Sequence, residues 1–282
     1  MPVYFKKEDV ENKIKASILS KNNIGLVPTM GSLHQGHLSL IENAVNNNDN
    51  VWVSIFVNPT QFSSPEDLNK YPKDLEKDVV LIKTISEKIN IFCPSEIEIY
   101  GGVPKLKKYD FNNIDLELEG KFRVNHFNGV ATIVSKLLEL FKPSSVYFGE
   151  KDYQQTKIIK RLISLEKINV KMIICPTVRE RNGLAMSSRN NLLSDFDKEN
   201  SSIIYNSLNI LKNNFKNSDL VKTKNEIISN INKNPNFKVE YLEIANAKTL
   251  QIDNVINPQK SYRAFICVLV NEVRLIDNIL LN

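Results

Sequence analysis

The sequence contains few cysteines, and none of them is spaced like a metal-binding or disulfide pair. Cys93, Cys175 and Cys267 are far apart and odd in number, so the chain has neither the Cys-x-x-Cys spacing of zinc sites nor a disulfide framework. No apolar run reaches the roughly 18 residues that a membrane-spanning helix needs. The first residues also lack the basic-then-apolar layout of a signal peptide. We therefore expect a soluble protein of the cytoplasm with no membrane partner.

The charge of the chain is modest and spread out. Its 37 Lys and Arg residues against 32 Asp and Glu give a net charge of +5, but the lysines are scattered and no basic run is interleaved with aromatic residues. Nucleic-acid-binding surfaces concentrate such charge, so the sequence argues against a nucleic-acid partner. A hydrophobic content of 42% over 282 residues is sufficient for a buried core in one large domain or two smaller ones.

Short apolar segments rich in β-branched and aromatic residues alternate with helical patterns through the first two-thirds of the chain. This alternation predicts an α/β fold, a Rossmann-like doubly wound parallel sheet covered by helices on both faces. In such sheets ligands bind beyond the carboxyl ends of the strands. The predicted strands are residues 24–27, 51–57, 89–92, 145–148 and 170–174, and the predicted helices are residues 6–19, 36–46, 75–88, 129–141 and 153–165.

The pattern changes near residue 177. Helices are expected at residues 195–214 and 220–232, and strands at 239–244 and 262–270, which predicts a smaller α+β domain at the C-terminal end. No Gly/Ser-rich linker marks the boundary, so we place it near Pro176, with the first domain at residues 1–176 and the second at residues 177–282.

Two of the chain's three histidines, His34 and His37, lie with Gly31 and Gly36 between a predicted strand and a predicted helix. Backbone N–H groups and the positive end of the helix dipole attract anions at such a position, and residues three apart share a helix face. The segment therefore predicts a phosphate-binding turn. Two alternatives stay open. One is a metal site, which the absence of nearby cysteines and of a His-Glu-x-x-His pattern disfavours, and the other is an ordinary helix-capping role for one histidine.

Polar residues also follow the second predicted strand. Asn58 and Gln61 come directly after the apolar segment 51–57 and are well placed to contact a ligand. The alternative is an Asx turn at Asn58 before Pro59, with Gln61 as a surface amide.

The fourth predicted strand leads into Gly149, Lys151 and Gln155. Glycine permits close backbone approach, lysine supplies a positive charge for a phosphate, and Gln155 lies one helical turn beyond the lysine. The location beyond a strand end, more than the residue types, favours a binding role.

The fifth predicted strand leads to Ser187, Ser188 and Arg189. Two hydroxyl donors and a guanidinium are suited to clamp a phosphate on which charge develops. The alternative is a serine helix cap followed by an exposed arginine.

Taken together, these segments resemble the pantothenate synthetase family, the ATP-dependent pantoate–β-alanine ligases. The resemblance runs in order from residue 24 almost to the C-terminus, and the set is far more specific than any one segment. The matching segments are Val27-Pro28-Thr29-Met30-Gly31 with His34-x-Gly36-His37, Val53 to Phe62, Phe148 to Gln155, Leu184 to Asn190, and Arg274-Leu275-Ile276-Asp277-Asn278.

The resemblance implies a nucleotidyltransferase-type domain followed by a small lid-like domain, a homodimer, and the use of ATP with Mg²⁺ to join (R)-pantoate and β-alanine as pantothenate. It implies catalytic roles for His34, His37 and Lys151, with His37 as a proton donor or a stabiliser of charge. It further implies that Gln61 contacts pantoate and β-alanine and that Gln155 contacts pantoate. The residues implied for ATP binding are Met30, Gly31, Ser32, Leu33, His34, Gln35, Gly36, His37, Gly149, Glu150, Lys151, Asp152, Val178, Met186, Ser187, Ser188 and Arg189.

The chain departs from the family pattern at three places. Val124-Asn125 stands where the family has the Pro-Gly of Arg-Pro-Gly-His-Phe, Asn182 where Asp-Gly-Leu-Ala is common, and Lys73 where Tyr-Pro-Arg is usual. Arg123 and His126, which flank the first departure, are therefore left out of the predicted site.

The implied reaction needs charge neutralisation rather than a general base, because a carboxylate is already ionised at neutral pH when it attacks the α-phosphorus of ATP. No residue is assigned as a metal ligand. Asp78 could help to hold Mg²⁺, but we prefer to interpret it as an acid on a helix surface. A nucleotidyltransferase acting on a phosphate is disfavoured by the uncharged Gln61 and Gln155. A non-catalytic nucleotide-binding regulator is disfavoured by the presence of His37, Lys151 and Arg189.

Overall fold

The computed structural model describes residues 1–62, 64–216, 219–253 and 255–282. The chain forms two compact units. The first comprises residues 1–115, 119–150 and 154–176, and the second comprises residues 116–118, 151–153 and 177–282. Within the described ranges no helix is long and apolar enough to cross a membrane. The division into two domains at Pro176 stays a prediction.

The first unit is built on a parallel sheet. Its strands are β1 (Val3–Tyr4), β2 (Ile24–Thr29), β3 (Asn50–Ile55), β4 (Asn90–Phe92), β5 (Ser145–Gly149) and β6 (Lys171–Cys175). They are ordered β1-β4-β3-β2-β5-β6, and every neighbouring pair is parallel. The helices that accompany them are α1 (Lys7–Leu19), α2 (Gln35–Asn47), α3 (Pro65–Lys70), α4 (Leu75–Lys83), α5 (Glu96–Tyr100), α6 (Glu119–Phe122), α7 (His126–Phe141) and α8 (Tyr153–Leu165).

Alternate residues of the central strands pack into two different hydrophobic clusters. Leu26 and Trp52 belong to a cluster with side chains of α1, α7 and α8, whereas Val27 and Val53 belong to a cluster with side chains of α2 and α4. Successive side chains of a strand point to opposite faces of the sheet. Helices therefore cover both faces, which confirms the predicted doubly wound α/β architecture.

The second unit contains a smaller antiparallel sheet and its own helices. The helices are α9 (Asp195–Asn200), α10 (Ser202–Asn214) and α11 (Leu220–Ile231), and the strands are β7 (Phe237–Asn246), β8 (Tyr262–Val270) and β9 (Val273–Leu280). The sheet has the order β7-β8-β9. Leu208 and Leu211 of α10 share a buried cluster with Ile266 and Val268 of β8, so the predicted α+β character of this part is confirmed.

The structure corrects the expected ends of two helices. The helix expected at residues 75–88 ends at Lys83, because the N–H groups of Thr84 and Ile85 turn back to Leu81 O and Ile82 O at 3.2 and 3.0 Å, the tighter bonding of a closing 3₁₀ turn. The helix expected at residues 195–214 is two helices, α9 and α10.

Two strands are missing from the sequence prediction. Strand β1 has only two residues, which is too short for a recognisable alternation. Strand β9 is long, but Asp277 and Asn278 interrupt its apolar pattern, and both are buried.

Candidate active site

The order of the strands reverses between β2 and β5, which are neighbours in the parallel sheet. Gly25 and Leu26 of β2 pair with Ser145 and Val146 of β5, and the sheet continues outward from β2 to β3 and from β5 to β6. Ligands of doubly wound sheets bind outside the carboxyl ends of the strands at this reversal. The loop that follows β2 and the end of β5 both lie there.

The loop that follows β2 is held in one backbone shape. Thr29 Oγ1 donates to Ser54 O at 2.8 Å and accepts the N–H of Gly31 at 3.2 Å. Gly31 and Ser32 both have positive φ, at 80° and 50°. A Cβ atom on Gly31 would lie 2.9 Å from Asp78 Oδ2. Glycine is therefore required here both by its conformation and by the space available.

The carboxylate of Asp78, on α4, holds this loop from the side. Its Oδ2 accepts the N–H of Ser32 at 2.9 Å, and its Oδ1 accepts the N–H of Leu33 at 2.7 Å. Asp78 is only 1% exposed, so its interpretation as a surface acid is wrong. Burial raises the pKa of Asp78, and the two backbone hydrogen bonds oppose that rise. Since both oxygens already accept backbone N–H groups, the geometry favours a loop-holding role over Mg²⁺ ligation.

The two histidines lie side by side at the start of α2. His34 is the N-cap residue of the helix, and its Nδ1 accepts the N–H of Gly36 at 3.1 Å. The neutral ring therefore carries its proton on Nε2, which makes Nε2 a hydrogen-bond donor suited to an anion. The ring of His37 lies 4.1 Å from that of His34, centroid to centroid. The capping interpretation is thus correct for His34, and it fixes the orientation of the ring.

The remaining residues of the predicted turn differ in exposure. Gly31 and Leu33 are buried, Met30, Ser32 and Gly36 are partly exposed, and Gln35 is exposed.

Gln61 is buried, so its interpretation as a surface amide is wrong. Its Oε1 accepts from Asn58 Nδ2 at 3.1 Å, and its Nε2 donates to Met30 Sδ at 2.8 Å. Asn58 also donates to Gly129 O at 3.1 Å, and its Oδ1 accepts the N–H of Thr60 at 3.4 Å, so the Asx turn of the alternative interpretation is present although its surface amide is not. Gln61 is thereby connected to the loop after β2 through Met30.

Two residues outside the predicted site hold the backbone carbonyl of Gln61. His126 Nδ1 lies 2.7 Å from Gln61 O, and Arg123 Nη2 donates to the same oxygen at 3.3 Å. Arg123 Nη1 lies 3.1 Å from His126 Nε2. A carbonyl can only accept and a guanidinium can only donate, so these partners assign the proton of a neutral His126 to Nδ1. The match of Arg123 and His126 to the family segment is the signal that could have found them.

The Val124-Asn125 departure leaves the backbone of that segment compatible with these contacts. Asn125 is the N-cap residue of α7 and has φ 63° and ψ 0°, in the left-handed region. Asn adopts this conformation more readily than other residues that carry a Cβ atom. It can therefore stand where the family has glycine.

Asn125→Ala is expected to lower the free energy of unfolding by about 1 kcal/mol, because a left-handed residue with a Cβ and no polar side chain costs about 1–2 kcal/mol. The side chain of Asn125 makes no capping hydrogen bond, so the backbone conformation dominates the effect. Asn125→Gly is the matched control and should remain within about 0.5 kcal/mol of the wild type. Urea unfolding measures both; a glycine variant less stable than the alanine variant contradicts the explanation.

The end of β5 leaves free space beside Gly149. Gly149 pairs with Cys175 of β6, and a Cβ atom on Gly149 would meet nothing within 4 Å in the described part of the chain. Glu150 follows and is partly exposed. On α8, Gln155 is partly exposed, whereas its neighbour Gln154 is buried and its Nε2 donates to Ile114 O at 2.8 Å. The two adjacent glutamines therefore differ: Gln154 packs inward, and Gln155 is accessible.

Lys151 and Asp152 belong to the second unit. Lys151 Nζ lies 3.2 Å from Asp152 Oδ1, with the lysine side chain 18% exposed and the aspartate side chain 41% exposed. The backbone carbonyl of Lys151 accepts from Asn278 Nδ2 at 2.8 Å. The lysine is thus largely buried, and its main chain is attached to strand β9.

Val178 and Met186 are brought together by a tight reversal of the chain in the second unit. The N–H of Met186 donates to Val178 O at 3.0 Å, and Arg179 and Ala185 form an isolated antiparallel bridge. Gly183 has φ 94° at the reversal, a conformation that favours glycine. This hairpin-like segment, residues 178–186, leads directly into the predicted clamp.

In the clamp, Ser187 is the N-cap residue of the 3₁₀ helix Ser188–Leu192, and its Oγ accepts the N–H of Arg189 at 3.2 Å. The capping alternative therefore holds for Ser187. Ser188 is buried and Arg189 is partly buried, so the expectation of an exposed arginine in that alternative is wrong.

The other two departures from the family pattern have different consequences. Asn182 Nδ2 donates to the carbonyl oxygens of Lys198 and Glu199 at 3.0 and 3.3 Å, and its Oδ1 accepts the N–H of Leu184 at 3.1 Å. An aspartate could not donate to those carbonyls, so the asparagine suits this chain. Lys73 is exposed, and nothing in the structure explains the substitution there.

Comparison with known proteins gives one consistent result. The family model described as Pantoate-beta-alanine ligase matches residues 3–280. The chain is 45% identical to the "Pantothenate synthetase" of Flavobacterium psychrophilum over 279 residues, covering 99% of each chain. It is similar to the crystal structure of pantothenate synthetase from Thermus thermophilus, with a TM-score of 0.89 and 33% identity over 99% of both chains.

A second similar solved structure contains bound ligands. It is the pantoate-beta-alanine ligase from Francisella tularensis, complexed with beta-gamma ATP and beta-alanine. The TM-score is 0.82 and the identity 38%, and the match covers 99% of this chain and 97% of that one.

Proposed function

The chain belongs to the pantoate–β-alanine ligase family, and we propose that it joins pantoate to β-alanine by first converting pantoate to a pantoyl adenylate. It is a ligase of pantothenate synthesis that uses ATP as co-substrate. In the first step a carboxylate oxygen of pantoate attacks the α-phosphorus of ATP, and pyrophosphate leaves. In the second step the neutral amine of β-alanine attacks the acyl carbon, AMP leaves, and the amine loses a proton.

The first step builds up negative charge that the protein must stabilise. The attacking carboxylate is already ionised, so the developing charge on the phosphoryl oxygens and on pyrophosphate must be neutralised. We assign this task to His34, His37 and Lys151, with Ser187, Ser188 and Arg189 assisting. The single observation that carries the assignment is the histidine pair at the start of α2, where the bond from Gly36 to His34 Nδ1 makes Nε2 the donor nitrogen. We assign the other predicted residues to the binding of ATP: Met30, Gly31, Ser32, Leu33, Gln35, Gly36, Gly149, Glu150, Asp152, Val178 and Met186.

Gln61 is assigned to pantoate and β-alanine, and Gln155 to pantoate. Both are uncharged, which suits a small hydroxy acid better than a phosphate acceptor. The bond from Asn58 to Gln61 Oε1 and the double support of the Gln61 carbonyl by Arg123 and His126 fix this side chain before substrate binds, and preorganised polar groups give specificity.

Gln61→Ala is expected to raise KM for pantoate about tenfold or more, the equivalent of about 1.4 kcal/mol of lost binding, and to lower kcat less. Gln61→Glu, which preserves the size but adds a negative charge beside the substrate carboxylate, should raise KM further. The exposed Gln259→Ala is the matched control. Steady-state kinetics with pantoate varied at saturating ATP measures the effect, and an unchanged KM in both Gln61 variants contradicts the assignment.

Mg²⁺, the homodimer and the cytoplasmic location are further proposals from the family resemblance. Mg²⁺ is usually held by substrate phosphates with one or two carboxylates, and the occupied oxygens of Asp78 do not fit such a ligand. The proposed cytoplasmic location, a reducing compartment, agrees with three free cysteines, of which Cys175 and Cys267 are buried.

One assay tests the proposed function as a whole. Pantoate-dependent exchange of labelled pyrophosphate into ATP should occur in the absence of β-alanine, because adenylate formation is reversible. AMP should then be released on addition of β-alanine. Exchange that does not depend on pantoate, or AMP release that requires no β-alanine, is the result that overturns the two-step proposal.

A further inference from the structure

Two adjacent polar residues of the second unit, Asp277 and Asn278, are buried but have no role in the chemistry just described. Asp277 is 3% and Asn278 is 4% exposed, and both lie on β9 next to the core strand β8. A buried carboxylate or amide costs free energy unless it is hydrogen-bonded. Asp277 is bonded to Arg179, which lies between Val178 and Met186 of the predicted ATP-binding set, and Asn278 is bonded to Lys151 of that set.

Asp277 holds the segment 178–186. Its two carboxylate oxygens accept from Arg179 Nη1 and Nη2 at 2.6 and 3.1 Å, and Arg179 Nη1 also donates to Gly183 O at 3.1 Å. The guanidinium lies 3.6 Å from the centre of the Tyr205 ring. A bidentate, stacked arginine has a fixed orientation. Arg179 thereby attaches both sides of the reversal, and with it Val178 and Met186, to strand β9.

Asn278 holds the main chain of Lys151. Its Nδ2 donates to Lys151 O at 2.8 Å, and its Oδ1 accepts from Arg263 Nη1. Arg263 lies over the ring of Tyr153, 4.1 Å from its centre, and Tyr153 OH donates to Ala247 O at 2.8 Å. The segment from Lys151 to Tyr153 is therefore held both through the main chain of Lys151 and through the ring of Tyr153.

The two attachments are mechanically linked, because Asp277 and Asn278 are consecutive and the N–H of Asn278 donates to Asp277 Oδ1 at 2.8 Å. We propose that Asp277 and Asn278 are positioning residues, which together hold Lys151 and the segment 178–186 in fixed positions relative to each other for adenylate formation. This inference rests on the proposed function. Neither residue touches the reacting atoms; each acts through a residue that it orients.

The two halves of the pair should have separable effects. Asn278→Asp keeps the shape and the acceptor for Arg263 but replaces the donor to Lys151 O with a carboxylate oxygen. It should lower kcat of pantoate-dependent pyrophosphate exchange about 10- to 100-fold, with KM for pantoate unchanged, because small misplacements of a catalytic group cost up to about 100-fold.

Asp277→Asn keeps the volume of the side chain but weakens its two-oxygen interaction with the Arg179 guanidinium. It should mainly raise KM for ATP, because it loosens Val178 and Met186.

The matched control is Asn282→Ala. Asn282 also bridges two backbone groups of this unit, accepting the N–H of Tyr262 at 2.7 Å and donating to Lys260 O at 2.9 Å, but these bonds involve neither Lys151 nor the segment 178–186. The variant should retain wild-type kcat and KM. Thermal unfolding of each variant confirms that the folded protein is being assayed.

The outcomes distinguish the inference from the function on which it rests. No pantoate-dependent exchange by the wild-type chain refutes the proposed function. If the wild type is active and the folded Asn278→Asp variant has the same kcat, the positioning role of Asn278 is refuted. If Asn282→Ala lowers kcat as much as Asn278→Asp does, the effect is not specific to Asn278. Where Asn278→Asp does not fold, Asn278→Ala, which removes the donor without adding charge, is measured instead; wild-type kcat in that variant refutes the inference, and a fall in kcat at constant KM supports it.

Discussion

Lys151→Ala is expected to lower the rate of adenylate formation about 100- to 1,000-fold while leaving the fold intact. Removing one preorganised donor or cation aimed at developing charge costs about 3–4 kcal/mol of transition-state stabilisation. The ion pair with Asp152 contributes little to stability, because the Asp152 side chain is 41% exposed and such pairs are worth at most about 1 kcal/mol. Activity and stability should therefore separate clearly in this variant.

Single-turnover formation of pantoyl adenylate, followed by quenching, measures this loss without the second step. Lys160→Ala, on the exposed surface of α8, is the matched control and should be unchanged. Lys151→Arg retains the charge but not the compact ammonium, so we expect intermediate activity. His37→Ala should show a loss of the same order. Pyrophosphate release at the wild-type rate in either alanine variant removes that residue from the catalytic set.

The parts of the fold that could be predicted are those with a local pattern. Strands such as β2 and β3 are continuous apolar runs because both faces of a parallel sheet are buried. Helices such as α2 have apolar residues at helical spacing on the face that packs against the sheet. Strand β9 has no such pattern, since Asp277 and Asn278 occupy buried positions that an apolar residue would normally take. The strand itself pairs locally with β8, but the partners that satisfy the side chains of Asp277 and Asn278, Arg179 and Lys151, lie 98 and 127 residues earlier in the chain.

In the candidate site, too, local features could be predicted from the sequence and long-range contacts could not. His34 and His37 are visible in the sequence because both the turn and the helix start are local. The role of Asp78 is not visible, because its partners Ser32 and Leu33 lie 46 and 45 residues earlier in the chain. The burial of Gln61 depends likewise on distant residues that precede or begin α7. Long-range hydrogen bonds have no signature in spacing, so they emerge only from the structure.

Asp78→Asn is expected to reduce adenylate formation about 10- to 100-fold, because misplacing catalytic groups by a fraction of an ångström to about 1 Å has effects up to about 100-fold. The variant retains one oxygen acceptor but turns an amide N–H₂ toward a backbone N–H. Either Ser32 or Leu33 then loses its acceptor, and the loop that presents His34 and His37 loses one of its two lateral bonds. KM for both substrates and kcat should change together, since the whole loop is displaced.

Stability should respond differently from activity in this variant. Burial raises the pKa of Asp78, so the native state binds its proton more readily than the unfolded chain does. The associated stability is present below the ordinary aspartate pKa of about 3.9 and is lost as the pH rises through the folded-state pKa. Asn carries no charge, so the variant should lack this pH-dependent loss, and at neutral pH its deficit should stay below the roughly 1–3 kcal/mol expected for an orphaned buried N–H.

The control for this experiment is Asp74→Asn, at the N-cap of α4, the same helix that carries Asp78. Asp74 Oδ1 accepts the N–H of Lys77 at 3.0 Å, and Asn is as good an N-cap as Asp, so activity should be unchanged. The charge of Asp74 adds to the rise of the Asp78 pKa, so its removal should only slightly weaken this pH dependence of stability, whereas Asp78→Asn should abolish it. Denaturant unfolding between pH values of about 4 and 8, a range that starts near the ordinary aspartate pKa, provides one readout and the adenylation rate the other. A folded Asp78→Asn variant with the wild-type rate shows that His34 and His37 keep their positions without this carboxylate, since the remaining contacts at Thr29 and Gly36 then suffice to hold the loop.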